Sequence, residues 1–338
     1  MSLVNFTEVT VKSTARLHMG FFDLHGGLGR KFGSIGLSLT EPSLELSAVR
    51  SGNLCVSGFV SNRAEEIARG LMAKLDLAGA VSLDIKQTIP EHAGMGSGTQ
   101  LALTIGTAIS QLYHLNLSTV QIAELTGRGS RSGIGIAAFD QGGLLIDGGR
   151  ASPVTSSHLG QVRSSHRAMS SLRVPPLIAR YNFPMDWRIL LILDSHQPGT
   201  HGDEELVAFK TLPAFSESLA AHLCRNVLMQ AMPAMVEKDL TAFGCSIREL
   251  QMHIGDYFAP AQGGRYASKS VEAVLHYLET LGVVCYGQSS WGPTGFAVFA
   301  SEELAQKYML QLKMKFTEPN LTWKICSANN KGAEVLTA

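Results

Sequence analysis

Residues 90–108 read PEHAGMGSGTQLALTIGTA, packing three glycines, a serine and a threonine into positions 94–99 before an apolar stripe begins. Such a stretch suits anion binding. Glycine lets the backbone approach closely, free N–H groups at a helix start point at the guest, and the hydroxyls of Ser97 and Thr99 add donors. The candidate cradle is Gly94, Met95, Gly96, Ser97, Gly98, Thr99 and Gln100. Thr99 could equally ligate a metal or cap the helix. On pattern alone, a glycine turn that starts a capped, buried helix explains the stretch equally well. The P-loop pattern G-x-x-x-x-G-K-[ST] is not met, because the lysine is absent.

Four other segments share this density of glycine and polar residues. ARLHMGFFDLHGGLGRKFGSIG (15–36) offers Arg16, His18, Asp23, His25, Arg30 and Lys31 at the end of a strand. GRGSRSGIGIAAFDQGG (127–143) offers Arg128, Arg131 and Asp140. QGGRYAS (262–268) places Arg265 before a capped helix, and GQSSWGPTG (287–295) carries Ser289, Ser290 and Thr294 into a strand. One such loop is usually a turn; several with arginines among them argue for a shared anion site.

The elements that would position these loops follow from periodicity. Alternation predicts strands over 9–22, 43–49 and 81–89, with Val81, Leu83 and Ile85 on one face. A helix is predicted over 62–75, opened by an Asn62/Glu65 capping box with Ile67, Leu71 and Leu75 recurring. The next starts within the glycine motif, with Leu101, Ile105, Ala108, Ile109 and Leu112 on one face. Another begins at Ser118, with Gln121 three residues on, and stops at Gly127. GGLLIDGG (142–149) is a short strand between glycine turns. A serine-rich stretch, 151–173, has little periodicity and reads as a linker or surface loop; His158 and His166 within it are assigned no role. Arg188–Leu193 reads as a buried strand opening a second domain. Helices are predicted around 219–229, 235–250 and 270–281, with Gly282 as a C-terminal cap. Strands are predicted over 295–300 and 321–327. Strands and helices interleaved in two halves favour an α+β fold.

The bulk numbers narrow the function. A chain of 338 residues is long enough for two domains. Equal numbers of basic and acidic residues, 28 each, argue against nucleic acid and against polybasic membrane binding. The five cysteines show no CxxC spacing, so no zinc knuckle or disulfide framework is indicated, and they read as small buried apolar residues of a reducing compartment. No secretion signal and no apolar run of about 18 residues is apparent, so a cytoplasmic protein is expected.

PEHAGMGSGTQLAL resembles the phosphate-loop motif P-x-x-x-G-L-G-S-S of the GHMP small-molecule kinase superfamily. ARLHMGFFDLHG and GQSSWGPTGFAVF stand where that superfamily has its first and third motifs. More closely, RLHMGFFDLHG, PEHAGMGSGTQ, RSGIGIAAFDQGG, PPLIARYNFP, HGDEE, GDYFAPAQGGRYAS and GQSSWGPTGF resemble the β-ribofuranosylaminobenzene 5′-phosphate synthases, a methanopterin-pathway family on the same fold. They run in order along nearly the whole chain. The resemblance implies a two-domain GHMP-kinase-like α+β fold. Residues 1–180 would form an N-terminal ribosomal-protein-S5-domain-2-like domain with its phosphate-binding loop at 90–100. Residues 181–338 would form a ferredoxin-like α/β sandwich.

Two departures from the kinase pattern are informative. Those kinases commonly carry S-G-x-D, whose aspartate serves phosphoryl transfer; here Ser132-Gly133-Ile134-Gly135 leaves a hydrogen in place of the carboxylate. The second serine of the phosphate loop is Gly98. The simplest reading is an anion cradle retained without the kinase chemistry.

The resemblance implies transfer of the ribose 5-phosphate unit of phosphoribosyl pyrophosphate to 4-aminobenzoate or 4-hydroxybenzoate, releasing CO2 and pyrophosphate. It implies Mg²⁺ and no organic cofactor, and a homodimer is expected. The runner-up is an ATP-dependent GHMP kinase acting on a small alcohol or acid; a non-catalytic binding module fits less well, because polar loops recur in both halves. In the leading reading residues 94–100 hold pyrophosphate, and Arg16 and His18 reach phosphate or the benzoate carboxylate. Asp23 and Asp140 bind metal or stabilise the oxocarbenium, with Asp140 and Thr99 as the Mg²⁺ candidates. Glu204 orients a ribose hydroxyl or holds metal, Arg265 binds substrate, and Ser289, Ser290 and Thr294 line the opposite wall. Each has a plainer alternative: His18 as a hydrogen-bonded core residue, Asp140 as a turn cap, Glu204 in a first helical turn, His201 as a solvated loop residue and Trp291 as packing.

Overall fold

A computed structural model describes residues 7–151, 174–196, 211–290 and 292–338. Glu204, His201, Trp291, His158, His166 and most of the serine-rich stretch lie outside these residues. In the first half β1 (Val9–Asp23), β2 (Arg30–Lys31), β3 (Gly33–Ser51), β4 (Cys55–Gly58), α1 (Ser61–Lys74) and β5 (Ala80–Gln87) lead to α2 (Ser97–Leu112). Then come α3 (Thr119–Leu125), α4 (Ile134–Asp140), β6 (Leu144–Asp147), β7 (Arg150–Ala151) and β8 (Leu177–Tyr181). The second half holds β9 (Arg188–Asp194), α5 (Glu217–Asn226), a π-helical turn (Val227–Ala231), α6 (Met232–Glu237), α7 (Leu240–Gln262) and α8 (Lys269–Thr280). It closes with β10 (Tyr286–Gln288), β11 (Gly295–Phe299), α9 (Glu302–Lys315), β12 (Leu321–Cys326) and β13 (Glu334–Thr337).

The main sheet runs β13–β1–β3–β5–β4, with β6 paired to β3 and β8 to β6; the second runs β10–β11–β9–β12. The division expected at 180/181 would cut Tyr181 from the end of β8, and β13 lies on the first sheet, pairing Val9 with Thr337. Along β1, Val9, Val11, Ser13, Ala15 and Leu17 are buried in alternation, as one covered face demands. From Leu17 to Phe22 every residue is buried, because helices of both halves (α2 and α4, α5 and α7) pack on this strand.

The predicted apolar face of α2 is buried, and so are Gln100, Thr104 and Ser110, making α2 a central helix rather than a one-sided one. Ser13 and Thr104 satisfy each other's hydroxyls at 3.0 Å. The Ser118/Gln121 capping box is present. The Asn62/Glu65 box is not: α1 starts after Val60 in a left-handed conformation, and Glu65 pairs along the helix with Arg69. The helix predicted over 235–250 is instead broken at Lys238 (φ 57°). Asp239 caps α7 through the Ala242 amide at 3.0 Å, and α7 continues to Gln262. Of the cysteines, Cys285 and Cys326 are buried as expected, whereas Cys55 is exposed on β4. No helix among the described residues is long and apolar enough to cross a membrane.

Candidate active site

The pairing of β1 with β3 is irregular between Thr14 and Arg16 and again between His18 and Gly20. Such bulges re-aim side chains, and here they flank Arg16 and His18, both of which line a cavity of about 480 Å³, a size typical of small-molecule sites. Arg63 of α1, His92, the loop from Gly94 to Thr99, the segment 127–132 and Ser290 complete its lining with Phe21.

The glycine loop is held by its carbonyls. Thr294 Oγ1 donates to the Ala93 oxygen at 2.7 Å, while Ser289 Oγ and Arg16 Nη1 donate to the Gly94 oxygen at 2.7 and 2.6 Å. The Arg16 amide donates to the Met95 oxygen at 3.1 Å. The amides of Thr99 and Gln100 turn back onto the Gly96 carbonyl, starting α2. Among the described residues, no acceptor takes the amide hydrogens of Gly94 to Gly98. They form an unfilled row of donors at the positive end of a sixteen-residue helix. Gly94 is required as glycine: its φ is +75°, and a Cβ there would lie 2.7 Å from the Gly292 Cα.

Four guanidinium groups, from Arg16, Arg63, Arg128 and Arg131, face this row, and no carboxylate lines the cavity among the described residues. A Cβ on Gly98 would stand 2.5 Å from Arg63 Nη2 and 3.4 Å from Arg128 Nη1, so guanidinium groups occupy the space that the second serine of the kinase motif would enter. Burial, and then the nearby charge of Arg63, lowers the pKa of Arg128. Its buried Nε has no acceptor among the described residues. An anionic guest would relieve both. Arg63 is steadied from outside by Glu91 at 2.5 Å. Behind the segment 127–132, the buried Asp147 accepts from Ser34, Ser132 and the amides of Gly133 and Gly149. Burial outweighs those bonds and raises its pKa.

His18 Nδ1 and Ser290 Oγ lie 2.9 Å apart, and Ser290 Oγ also lies 3.2 Å from the His18 carbonyl, so the hydroxyl can engage the ring in either tautomer. The ring's Nε2 is buried and has no partner among the described residues. Burial, helped by the charge of Arg16, lowers its pKa to about 3. A neutral imidazole brings no positive charge to phosphate or carboxylate, so in the role expected of it His18 acts at most as a hydrogen-bond donor.

The other expected site residues separate clearly. Gly94, Gly96, Ser97, Gly98, Thr99, Arg16, His18 and Ser290 converge on the cavity. Met95 and Gln100 are buried behind the loop, Gln100 donating to the Gly135 carbonyl at 2.8 Å. Ser289 and Thr294, fully buried, tie down the loop rather than line the cavity. Asp23 accepts from the amides of His25 and Gly26 in the turn after β1. Asp140 ends α4 and accepts from the Thr119 hydroxyl at 3.1 Å, which ties it to the start of α3. Arg265 is held by both oxygens of Asp256 and lines a smaller adjoining cleft. Glu204 lies outside the described residues. Arg63, His92, Ser130 and Ser132 belong to the lining and were not among the predicted site residues.

Thr99 packs against Gly135 at the start of α4, where a Cβ would meet its methyl carbon at 3.2 Å, whereas Asp140 is at the far end of that helix. The two do not form a metal site. Mg²⁺ is normally held through one or two carboxylates together with phosphate oxygens. The described lining, with arginines and hydroxyls but no carboxylate, does not fit a protein-held Mg²⁺.

Comparison with known proteins agrees with this architecture. The GHMP kinases N terminal domain matches residues 62–143, and the GHMP kinases C terminal domain matches 231–316. Solved structures of the same fold include homoserine kinase from Cytophaga hutchinsonii (TM-score 0.64, 16% identity, 99% of both chains). Mevalonate diphosphate decarboxylase from Staphylococcus aureus is a second (TM-score 0.63, 13% identity, 98% of both). Beta-ribofuranosylphenol 5′-phosphate synthase of Methanocaldococcus jannaschii is 32% identical over 314 residues, 88% of this chain and 91% of that one. The enzyme of the same name from Archaeoglobus fulgidus is 36% identical over 329 residues, 96% and 98% of the two chains. Likeness at that level over nearly the full length of both means that the chain belongs to the beta-ribofuranosylphenol 5′-phosphate synthase family, built on the GHMP kinase fold.

Proposed function

We propose that the protein is a decarboxylating pentosyltransferase. It joins the ribose 5-phosphate unit of phosphoribosyl pyrophosphate to the carboxyl-bearing ring carbon of 4-hydroxybenzoate or 4-aminobenzoate, in methanopterin-type cofactor synthesis. The observation that carries the reading is the row of free amides at Gly94–Gly98, set among four arginines in a cavity whose described lining has no carboxylate. Relatives named for a phenol product favour the hydroxy acceptor.

As the ribose C1–oxygen bond breaks, charge builds on the departing pyrophosphate. Preorganised amides and guanidinium groups stabilise charge that develops in a dry site. The ring carbon forms the new bond to C1 while C1 has oxocarbenium character. The bond to the carboxylate then breaks, CO2 leaves, and its electron pair restores aromaticity. No strong base is needed at the ring, in keeping with a neutral His18. The oxocarbenium finds its negative neighbour in the pyrophosphate rather than in Asp23 or Asp140. A kinase base has no counterpart at Gly135, against which Thr99 packs.

Incubation with carboxyl-labelled 4-hydroxybenzoate should release labelled CO2 only when phosphoribosyl pyrophosphate is present. Arg16→Ala should slow that release by on the order of 10²-fold, as loss of one donor to a developing oxyanion does, and Asp140→Ala should leave it unchanged. ATP consumption without CO2 release, or full turnover in Arg16→Ala, would overturn the reading.

A further inference from the structure

Outside the cavity lining, one group of side chains has no part in the chemistry above. His222 lies on α5, and Glu249 and His253 lie on α7. Glu249 and His253 are four residues apart and so project from one face of their helix. Ligand atoms of all three lie within 4.8 Å of one another. His222 Nε2 approaches a Glu249 oxygen to 2.6 Å, and the two imidazole rings meet edge to face with centroids 5.7 Å apart. His222 is exposed and the other two are half-buried, so the group is open to solvent. An ion pair between His222 and Glu249 accounts for two of the residues but gives His253 nothing to do: among the described residues it makes no hydrogen bond.

We propose that His222, Glu249 and His253 form a binding site for a divalent transition-metal ion, of which Zn²⁺ is the representative. Two imidazoles and a carboxylate are the donor set such ions prefer, and three protein ligands leave a further position for water. Bonds of about 2.0–2.2 Å place ligand atoms of a tetrahedral ion roughly 3.4 Å apart, within reach of the present spacing by small rotamer changes. Mg²⁺, which demands oxygen ligands, is excluded by the same donors.

The ion would brace helices rather than take part in the reaction. Between Glu249 and His253 on α7, Gln251 donates from Nε2 to the Met19 carbonyl of β1 and to the Gln288 carbonyl at 3.0 Å; its Oε1 accepts from the Gln288 amide at 2.8 Å. Gln251 thus ties α7 to the strand that carries His18 and to the turn that carries Ser290. Pinning α5 to α7 steadies the helix from which that clamp is made.

The test uses the full chain after treatment with a chelator. Zn²⁺ titration, followed by calorimetry and by thermal melting, should show one saturable site of micromolar or better affinity and a melting temperature raised by several degrees. Co²⁺ in its place should give visible absorption bands. His253→Ala and the isosteric Glu249→Gln should each weaken this site at least tenfold, while release of CO2 from benzoate stays at the wild-type rate. The proposal fails if no saturable site appears. It fails equally if the same stoichiometry and affinity persist in both variants, since the zinc would then sit on other histidines or on a thiol such as Cys55.

Discussion

Gly98→Ala should leave the fold intact and disable the anion site. Gly98 is the second residue of α2 and has no left-handed backbone to protect, so alanine gains helix propensity, up to about 1 kcal/mol. The added carbon would stand 2.5 Å from Arg63 Nη2. Ordinary contact needs roughly 3.5 Å, so the tip of Arg63 must withdraw by about 1 Å. Its ion pair with Glu91 is half exposed, so losing it costs no more than about 1 kcal/mol. The two stability effects nearly cancel. The displacement acts on function instead, where a misplacement of about 1 Å can cost on the order of 10²-fold. The assay pairs a thermal melt with kcat/KM for phosphoribosyl pyrophosphate and the inhibition constant of pyrophosphate. The expected result is a melting temperature within about 4 °C of wild type and both constants worsened by on the order of 10²-fold. Gly70→Ala in α1, where a Cβ meets nothing within 4 Å, is the control with kinetics unchanged. Wild-type pyrophosphate affinity in Gly98→Ala would refute Arg63 as part of the site, and an unfolded variant would refute the geometry.

Gly94→Ala should behave oppositely. Its Cβ would meet the backbone of Gly292 at 2.7 Å from a left-handed conformation, and neither can yield, so a loss of more than about 2 kcal/mol is expected in chemical denaturation. For His18, the unfolded imidazole takes up a proton below about pH 6.5 while the buried one stays neutral to about pH 3. Stability therefore falls as pH drops through that window, by about 2 kcal/mol at pH 5 relative to pH 7. His18→Gln should remove this component from a denaturation series across pH; an identical pH slope in the variant would show that His18 does not carry it.

Much of the scaffold is legible in local pattern. The alternation of Val9 to Leu17, the Ser118/Gln121 box and the Gly282 stop each depend on neighbours a few residues away, and the structure keeps them. The errors arise where long-range contacts outweigh local signals. The Asn62/Glu65 box gives way to a left-handed entry at Val60, and the polar residues of α2 are buried because helices and sheet enclose them. Asp140 shows the same limit within the site: its residue type suits metal binding, but its place at the end of α4 gives its carboxylate to the Thr119 hydroxyl.

The glycine loop, the strand before it and the missing kinase aspartate could be read directly from the chain, because an anion cradle is made of contiguous backbone. Arg63 could not. It lies on an unremarkable amphipathic helix, thirty-five positions before Gly98, and only the packing of α1 beside α2 brings its guanidinium into the space left by a missing side chain. The hydrogen-bond partner of the His18 ring, Ser290, likewise comes from the other half of the molecule. Local order determines which backbone can cradle an anion. The charges and proton positions around it depend on side chains distant in sequence, and those are set only when the two halves pack together.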